Sequence, residues 1–70
     1  MRSDPIALIV NGEARESRAE TLAELIDAEN LGEAKVATAL NGAFVPARAR
    51  AAQRLAAGDR IEILAARQGG

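Results

Sequence analysis

Apolar and polar residues alternate along this chain in short blocks, each closed by a turn signal. Ile6-Ala7-Leu8-Ile9-Val10 is an apolar run with β-strand composition. Asn11-Gly12 follows at once, and Asn-Gly supplies the positive φ angles of a type I′ turn, whose twist suits a hairpin. Residues 13–18 return as a polar second strand, which suits a sheet edge because charges there discourage aggregation. Thr21-Leu22-Ala23-Glu24 has the spacing of a capping box. Leu22, Leu25 and Ile26 then share one helical face. Leu31-Gly32 closes the helix, with Gly32 suited to the left-handed C′ position.

The second half repeats the hairpin idea. Val36-Ala37-Thr38-Ala39-Leu40 is a third strand, Asn41-Gly42 a second turn, and Ala43-Phe44-Val45 a short fourth strand ended by Pro46. Residues 47–57 are rich in Ala and Arg and read as a short helical turn anchored by Leu55. Gly58-Asp59 is another turn, and Arg60-Ile61-Glu62-Ile63-Leu64 is the last strand.

This order (hairpin, helix, hairpin-like pair, final strand) predicts an α+β domain. It has a mixed sheet of four to five strands covered by one main helix, with the last strand parallel to the first at the centre. That is a β-grasp arrangement; a barrel-like fold is the alternative. The expected organisation is a loose leader at 1–5, one domain over 6–64, and a flexible C-terminal tail over 65–70 ending in Gly-Gly. Alternation assigns Leu8, Val10, Val45, Ile61 and Ile63 to a core against Leu22, Leu25 and Ile26. Ile9, Leu64 and Phe44 fall on the outer face, where adjoining exposed apolar residues read as a docking surface.

Composition narrows the chemistry. The chain has 70 residues, no Cys and no His. A disulfide framework, a zinc site, a thiol nucleophile and an imidazole base are therefore all excluded. Hydroxyls occur only at Ser3, Ser17, Thr21 and Thr38. A domain this small has little surface for a pocket, so the reading is that it is not an enzyme and has no catalytic residues, metal or cofactor of its own. Net charge is −1, with eight acids and three bases in residues 1–34 and six bases and two acids in residues 35–70. Arg48, Arg50, Arg54 and Arg67 lie in the segments leading to and including the tail, where they suit a solvated surface or weak steering of an acidic partner. Without more charge and interleaved aromatics this is not a nucleic-acid surface. The apolar run of five residues is far shorter than the ~20 that a membrane-spanning helix requires. These features read as a cytoplasmic protein bound neither to nucleic acid nor to a membrane.

Gly69-Gly70 carries the strongest functional signal. Glycine lets a tail pass through a narrow tunnel and adopt angles closed to other residues. A terminal carboxylate is also a chemical handle: ATP can convert it to an acyl adenylate, from which a nucleophile displaces AMP. The chain has no Gly-x-x-x-x-Gly-Lys pattern, so the nucleotide site belongs to a partner. Residues 65–70 extended would span ~20 Å at ~3.3–3.6 Å per residue, enough to enter a buried site while the body rests outside.

Three pieces together carry a resemblance: Ala39-Leu40-Asn41-Gly42-Ala43-Phe44-Val45-Pro46, Leu55-Ala56-Ala57-Gly58-Asp59-Arg60-Ile61-Glu62-Ile63-Leu64, and Gln68-Gly69-Gly70. Over residues 6–70 the chain resembles the ThiS family, the sulfur carriers of thiamine biosynthesis. It departs from the family pattern after Val45-Pro46, where Ala47 precedes Arg48 and no aromatic follows. The resemblance implies a ubiquitin-like β-grasp fold. It implies adenylation of Gly70 by a ThiF-type enzyme with ATP, then replacement of AMP by sulfur from a persulfide donor. The resulting thiocarboxylate at Gly70 would pass its sulfur to thiazole synthase (ThiG). Gly69 and Gln68 would thread into the partner's site, and Ile9, Phe44, Leu64 and Arg67 would dock.

Other readings stay open on the residues alone. The same chemistry could serve molybdopterin, cysteine or another metabolite. A ubiquitin-like protein modifier would form isopeptide bonds, although Lys35 is the single lysine. A β-grasp binding module would carry an inert tail.

Overall fold

The computed structural model describes residues 2–29 and 35–65. Strands β1 (Ile6–Val10) and β2 (Glu13–Ser17) form the first hairpin, helix α1 (Leu22–Ala28) follows, and β3 (Val36–Leu40) and β4 (Ala43–Val45) form the second. A 3₁₀ segment (Ala47–Ala52) leads to β5 (Arg60–Ala65). The sheet order is β2-β1-β5-β3-β4, so the last strand lies in the middle. It is parallel to β1, with Val10 opposite Ile61, and antiparallel to β3, with Thr38 opposite Ile63. This is the β-grasp topology that element order and patterning suggest, as an open mixed sheet of five strands rather than a barrel.

Each hairpin turn has the backbone its sequence demands. Asn11 and Asn41 both have φ of 51°, and Gly12 and Gly42 follow at 82° and 88°. Both central positions are left-handed, as a type I′ turn requires.

Helix α1 starts at the expected cap but closes it differently. Thr21 is extended, and its Oγ1 accepts the Glu24 N–H at 3.2 Å. The Glu24 carboxylate accepts the N–H of Glu20 at 2.8 Å, one residue before the cap. The chain around Thr21 is held by a bridge to the strand-like segment at Arg54, in which Leu22 N–H donates to Gln53 O and Leu55 N–H to Glu20 O, at 2.8 and 3.0 Å. The helix is seven residues long. The expected C-terminal signal at Leu31-Gly32 lies outside the described residues.

The buried apolar set is Leu8, Val10, Ala19, Leu22, Leu25, Ile26, Val45, Leu55 and Ile61. Strand alternation and the helical stripe account for most of it. Ile63, expected in the core, is only half-buried and packs at its margin. A seven-residue helix is ~10 Å long, at ~1.5 Å per residue, and cannot cover the whole inner face of the sheet.

Two arginines have roles that charge counting misses. Where a loose leader is expected over 1–5, Arg2 is bonded to the body. Its Nε donates to Ala19 O at 3.2 Å and its Nη2 to Leu55 O at 3.0 Å, while its own N–H donates to Arg18 O at 2.9 Å. Arg50, expected on a solvated surface, is partly buried. Its Nε donates to Thr38 Oγ1 at 3.0 Å and its Nη2 to Val36 O at 2.7 Å. Thr38 is the buried polar residue among those described, and its hydroxyl donates to Val45 O at 2.7 Å. Burying a hydroxyl is tolerated because both its donor and acceptor roles are filled.

Two substitutions test this account by urea unfolding. Leu8→Ala should cost ~2–5 kcal/mol, as expected for a deleted core side chain. Arg2→Ala should cost ~1–3 kcal/mol, because it removes charge-assisted hydrogen bonds to backbone carbonyls; an unchanged midpoint would restore a loose leader.

Candidate functional site

The tail chemistry suggested by the sequence places the candidate site at the end of β5. Gln68, Gly69, Gly70 and Arg67 lie outside the described residues. The strand that carries them is fully described to Ala65. Ala65, expected to open the tail, is instead the last residue of β5 and sits opposite Val36 of β3. The strand is thus one residue longer than its apolar composition suggests. The paired backbone reaches to within one residue of position 66.

Hydrogen bonds grip β5 along both flanks. On the β1 side, Ile9 N–H donates to Asp59 O at 3.0 Å and Asn11 N–H to Ile61 O at 2.8 Å. Strand β1 then turns away at Gly12, but the Asn11 side chain continues the ladder. Its Oδ1 accepts the Ile63 N–H at 2.8 Å, and its Nδ2 donates to Ile63 O at 3.3 Å. On the β3 side, Asn41 N–H donates to Arg60 O at 2.7 Å, and Asn41 Oδ1 accepts the Arg60 N–H at 2.9 Å. Asn41 Nδ2 reaches Asp59 Oδ1 at 3.1 Å, while Asp59 Oδ2 accepts the Ala56 N–H at 2.8 Å. Both Asn-Gly turns therefore use their amides on the same central strand. Positive φ explains why Asn is tolerated there. It does not reveal these contacts, and the only sequence signal is that Asn, which both donates and accepts, stands at both turns.

The outer face carries the expected apolar residues. Phe44 is 69% exposed, Leu64 68% and Ile9 37%. The register divides them. Phe44 lies opposite Ala39 and Leu64 opposite Ala37, so these four residues adjoin across β4, β3 and β5. Ile9 lies opposite Arg60, with Glu62 on the same face of β5 between Arg60 and Leu64. Ile9, Gly12, Arg60, Ile61 and Glu62 line an open recess. The face thus offers an apolar strip beside the end of β5 and a separate recess bordered by both charges. At the far edge, Arg15 of β2 pairs with Glu29 at the end of α1. The hydrogen bond to Glu29, and then its charge, raise the Arg15 pKa above its usual value.

Among the described residues, no group of three metal-ligating side chains gathers. No described helix is long and apolar enough to cross a membrane. The chemistry that this arrangement can offer is the presentation of whatever follows Ala65.

Comparison with known proteins agrees with the geometry. The family model described as the ThiS family matches residues 8–70. A solved structure of a thiamine biosynthesis protein (ThiS) from Geobacter metallireducens superposes with a TM-score of 0.77 at 32% identity, covering 93% of this chain and 100% of that one. No curated protein sequence matches.

The exposure of the strip predicts that charge there is cheap. Phe44→Glu and Leu64→Glu should each change stability by no more than ~0.5 kcal/mol, the range of ordinary surface substitutions. Thermal unfolding checks this, and a large drop in the melting temperature would mean that the strip packs against the body.

Proposed function

The chain belongs to the ThiS family, and from that membership we infer that it is a sulfur carrier protein of thiamine biosynthesis whose C-terminal glycine is the reacting group. The Gly70 carboxylate attacks the α-phosphate of ATP in the site of a ThiF-type enzyme, releasing pyrophosphate and forming an acyl adenylate. A carboxylate oxygen is a poor leaving group, whereas AMP leaves readily. The terminal sulfur of a persulfide on a partner then displaces AMP. Cleaving the resulting sulfur–sulfur bond requires a second thiol. This chain has no Cys, so that thiol also comes from a partner. The product is a thiocarboxylate on Gly70, and thiazole synthase (ThiG) is its acceptor.

In this reading the chain is a protein co-substrate rather than an enzyme, it acts in the cytoplasm, and ATP is consumed by its partner. The folded body supplies docking energy through Phe44 and Leu64, with Ile9 and Arg67 as further contacts. That energy offsets the entropy of ordering Gln68, Gly69 and Gly70 in the partner's site. The observation that carries the reading is the span of the family match, which includes Gly69-Gly70, on a domain whose last strand lies at the centre of the sheet.

Incubation with a ThiF-type enzyme, ATP and a sulfur source should replace one oxygen of the chain by sulfur, read by intact-mass spectrometry. Deleting Gly70 should abolish this without altering the unfolding transition. An unmodified wild-type chain, or a truncated chain adenylated normally, would overturn the reading.

A further inference from the structure

Strand β5 outruns its neighbour. The backbone pairing with β1 ends at Val10 opposite Ile61, because the chain turns back at Gly12. Residues 61 and 63 of β5 point their backbone groups toward that side, as the bonds to Asn11 show. Past Ile61 no backbone of β1 remains to receive them. At Ile63 the Asn11 amide takes both vacant positions: its carbonyl oxygen accepts the N–H at 2.8 Å and its NH₂ donates to the C=O at 3.3 Å. One side chain thus supplies a complete rung of ladder where the strand has run out. This rung lies two residues before Ala65, where the described part of β5 ends. Beyond this rung β5 is held on the β3 side alone, through Ala65 opposite Val36, so the Asn11 amide is the last restraint on its other flank among the described residues.

We propose that Asn11 is a positioning residue for the C-terminal tail: its amide clamps Ile63 from the β1 side and so sets the direction in which the chain departs toward Gly70. The proposal rests on the sulfur-carrier reading, because direction matters only if the tail must enter a partner's site while the body is docked. Asn41 serves as an internal control. It makes the same kind of contact from the same turn type, but at Arg60 and Asp59, the opposite end of the strand.

Glycine fits φ of 51° without strain, so Asn11→Gly and Asn41→Gly remove the amides while preserving both turns. Asn11→Asp keeps an acceptor for the Ile63 N–H but sets a second acceptor against Ile63 O. It is also the variant on which the comparison falls back if Asn11→Gly does not fold. Two readouts separate the clamp from the reaction. Amide hydrogen exchange at Ile63 should quicken at least about tenfold in Asn11→Gly, and stay at the wild-type rate in Asn41→Gly, since exchange reports the free energy of local opening. In steady-state adenylation with a ThiF-type enzyme, Asn11→Gly should lower kcat about tenfold or more, because small misplacements of a reacting group are costly. The KM for the carrier should hold, because the docking face is untouched. Asn11→Asp should fall between, and Asn41→Gly should match wild type in both constants.

Equal losses in the two Gly variants, or a loss confined to KM, would overturn the proposal. So would an Asn11→Gly chain that exchanges fast at Ile63 but reacts at the wild-type rate. If the wild-type chain itself took no adenylate, the carrier reading would fall and the tail role with it, while exchange at Ile63 would still report whether the clamp exists.

Discussion

The fold depends on burying Ile61 in the centre of the sheet under a helix only two turns long. A chain of 70 residues with neither Cys nor His has no disulfide and no Cys/His metal site to share that task. Leu8 and Val10 from β1 and Val45 from β4 complete the inner face, and Leu22, Leu25 and Ile26 close over it. Placing β5 between β1 and β3 lets one strand complete both hairpins at once. Because that strand is also the one leading to the tail, the element most needed for stability also presents the proposed reacting group.

The polar contacts follow the same economy. Among the described residues, four side chains tie segments outside the helix and strand ladders to distant backbone groups: Asn11 to Ile63, Asn41 to Arg60, Arg2 to Leu55, Arg50 to Val36. No buried side-chain nitrogen or oxygen among the described residues lacks a partner. Helix and strand ladders fix the elements, and these four side chains fix how the elements meet. The outer face stays out of this scheme. Phe44, Leu64, Ala37 and Ala39 take little part in holding the body together, which leaves them available for a partner.

Much of the architecture was legible in the sequence because it is encoded locally. Both Asn-Gly turns, the Thr21 cap and the three-residue stripe on α1 are short-range patterns, and the strands alternate with period two. What escaped is long-range. The Asn11 amide bonds a residue 52 positions away, and Arg2 one 53 positions away; no periodicity reports such partners. Arg50 looked like surface charge because nothing near it in sequence shows that Thr38 needs a donor. Ala65 looked like tail because alanine has little strand preference, yet pairing with β3 carries the strand through it. For the candidate site, the exposure of Ile9, Phe44 and Leu64 follows from alternation alone. Their division into a strip and a recess depends on the register, which brings Arg60 and Glu62 between them.

Having the middle strand last in the chain also has a consequence during synthesis. A polypeptide still emerging from the ribosome and shorter than β5 holds two hairpins with nothing to join them, and their inner faces stay open to water. The β1–β5 pairing spans some fifty positions, a long loop to close, so it forms only once β5 has been made and is slow to form. Prematurely terminated products would therefore lack a closed core and stay exposed to proteases rather than persist as folded bodies without the end that the proposed function requires.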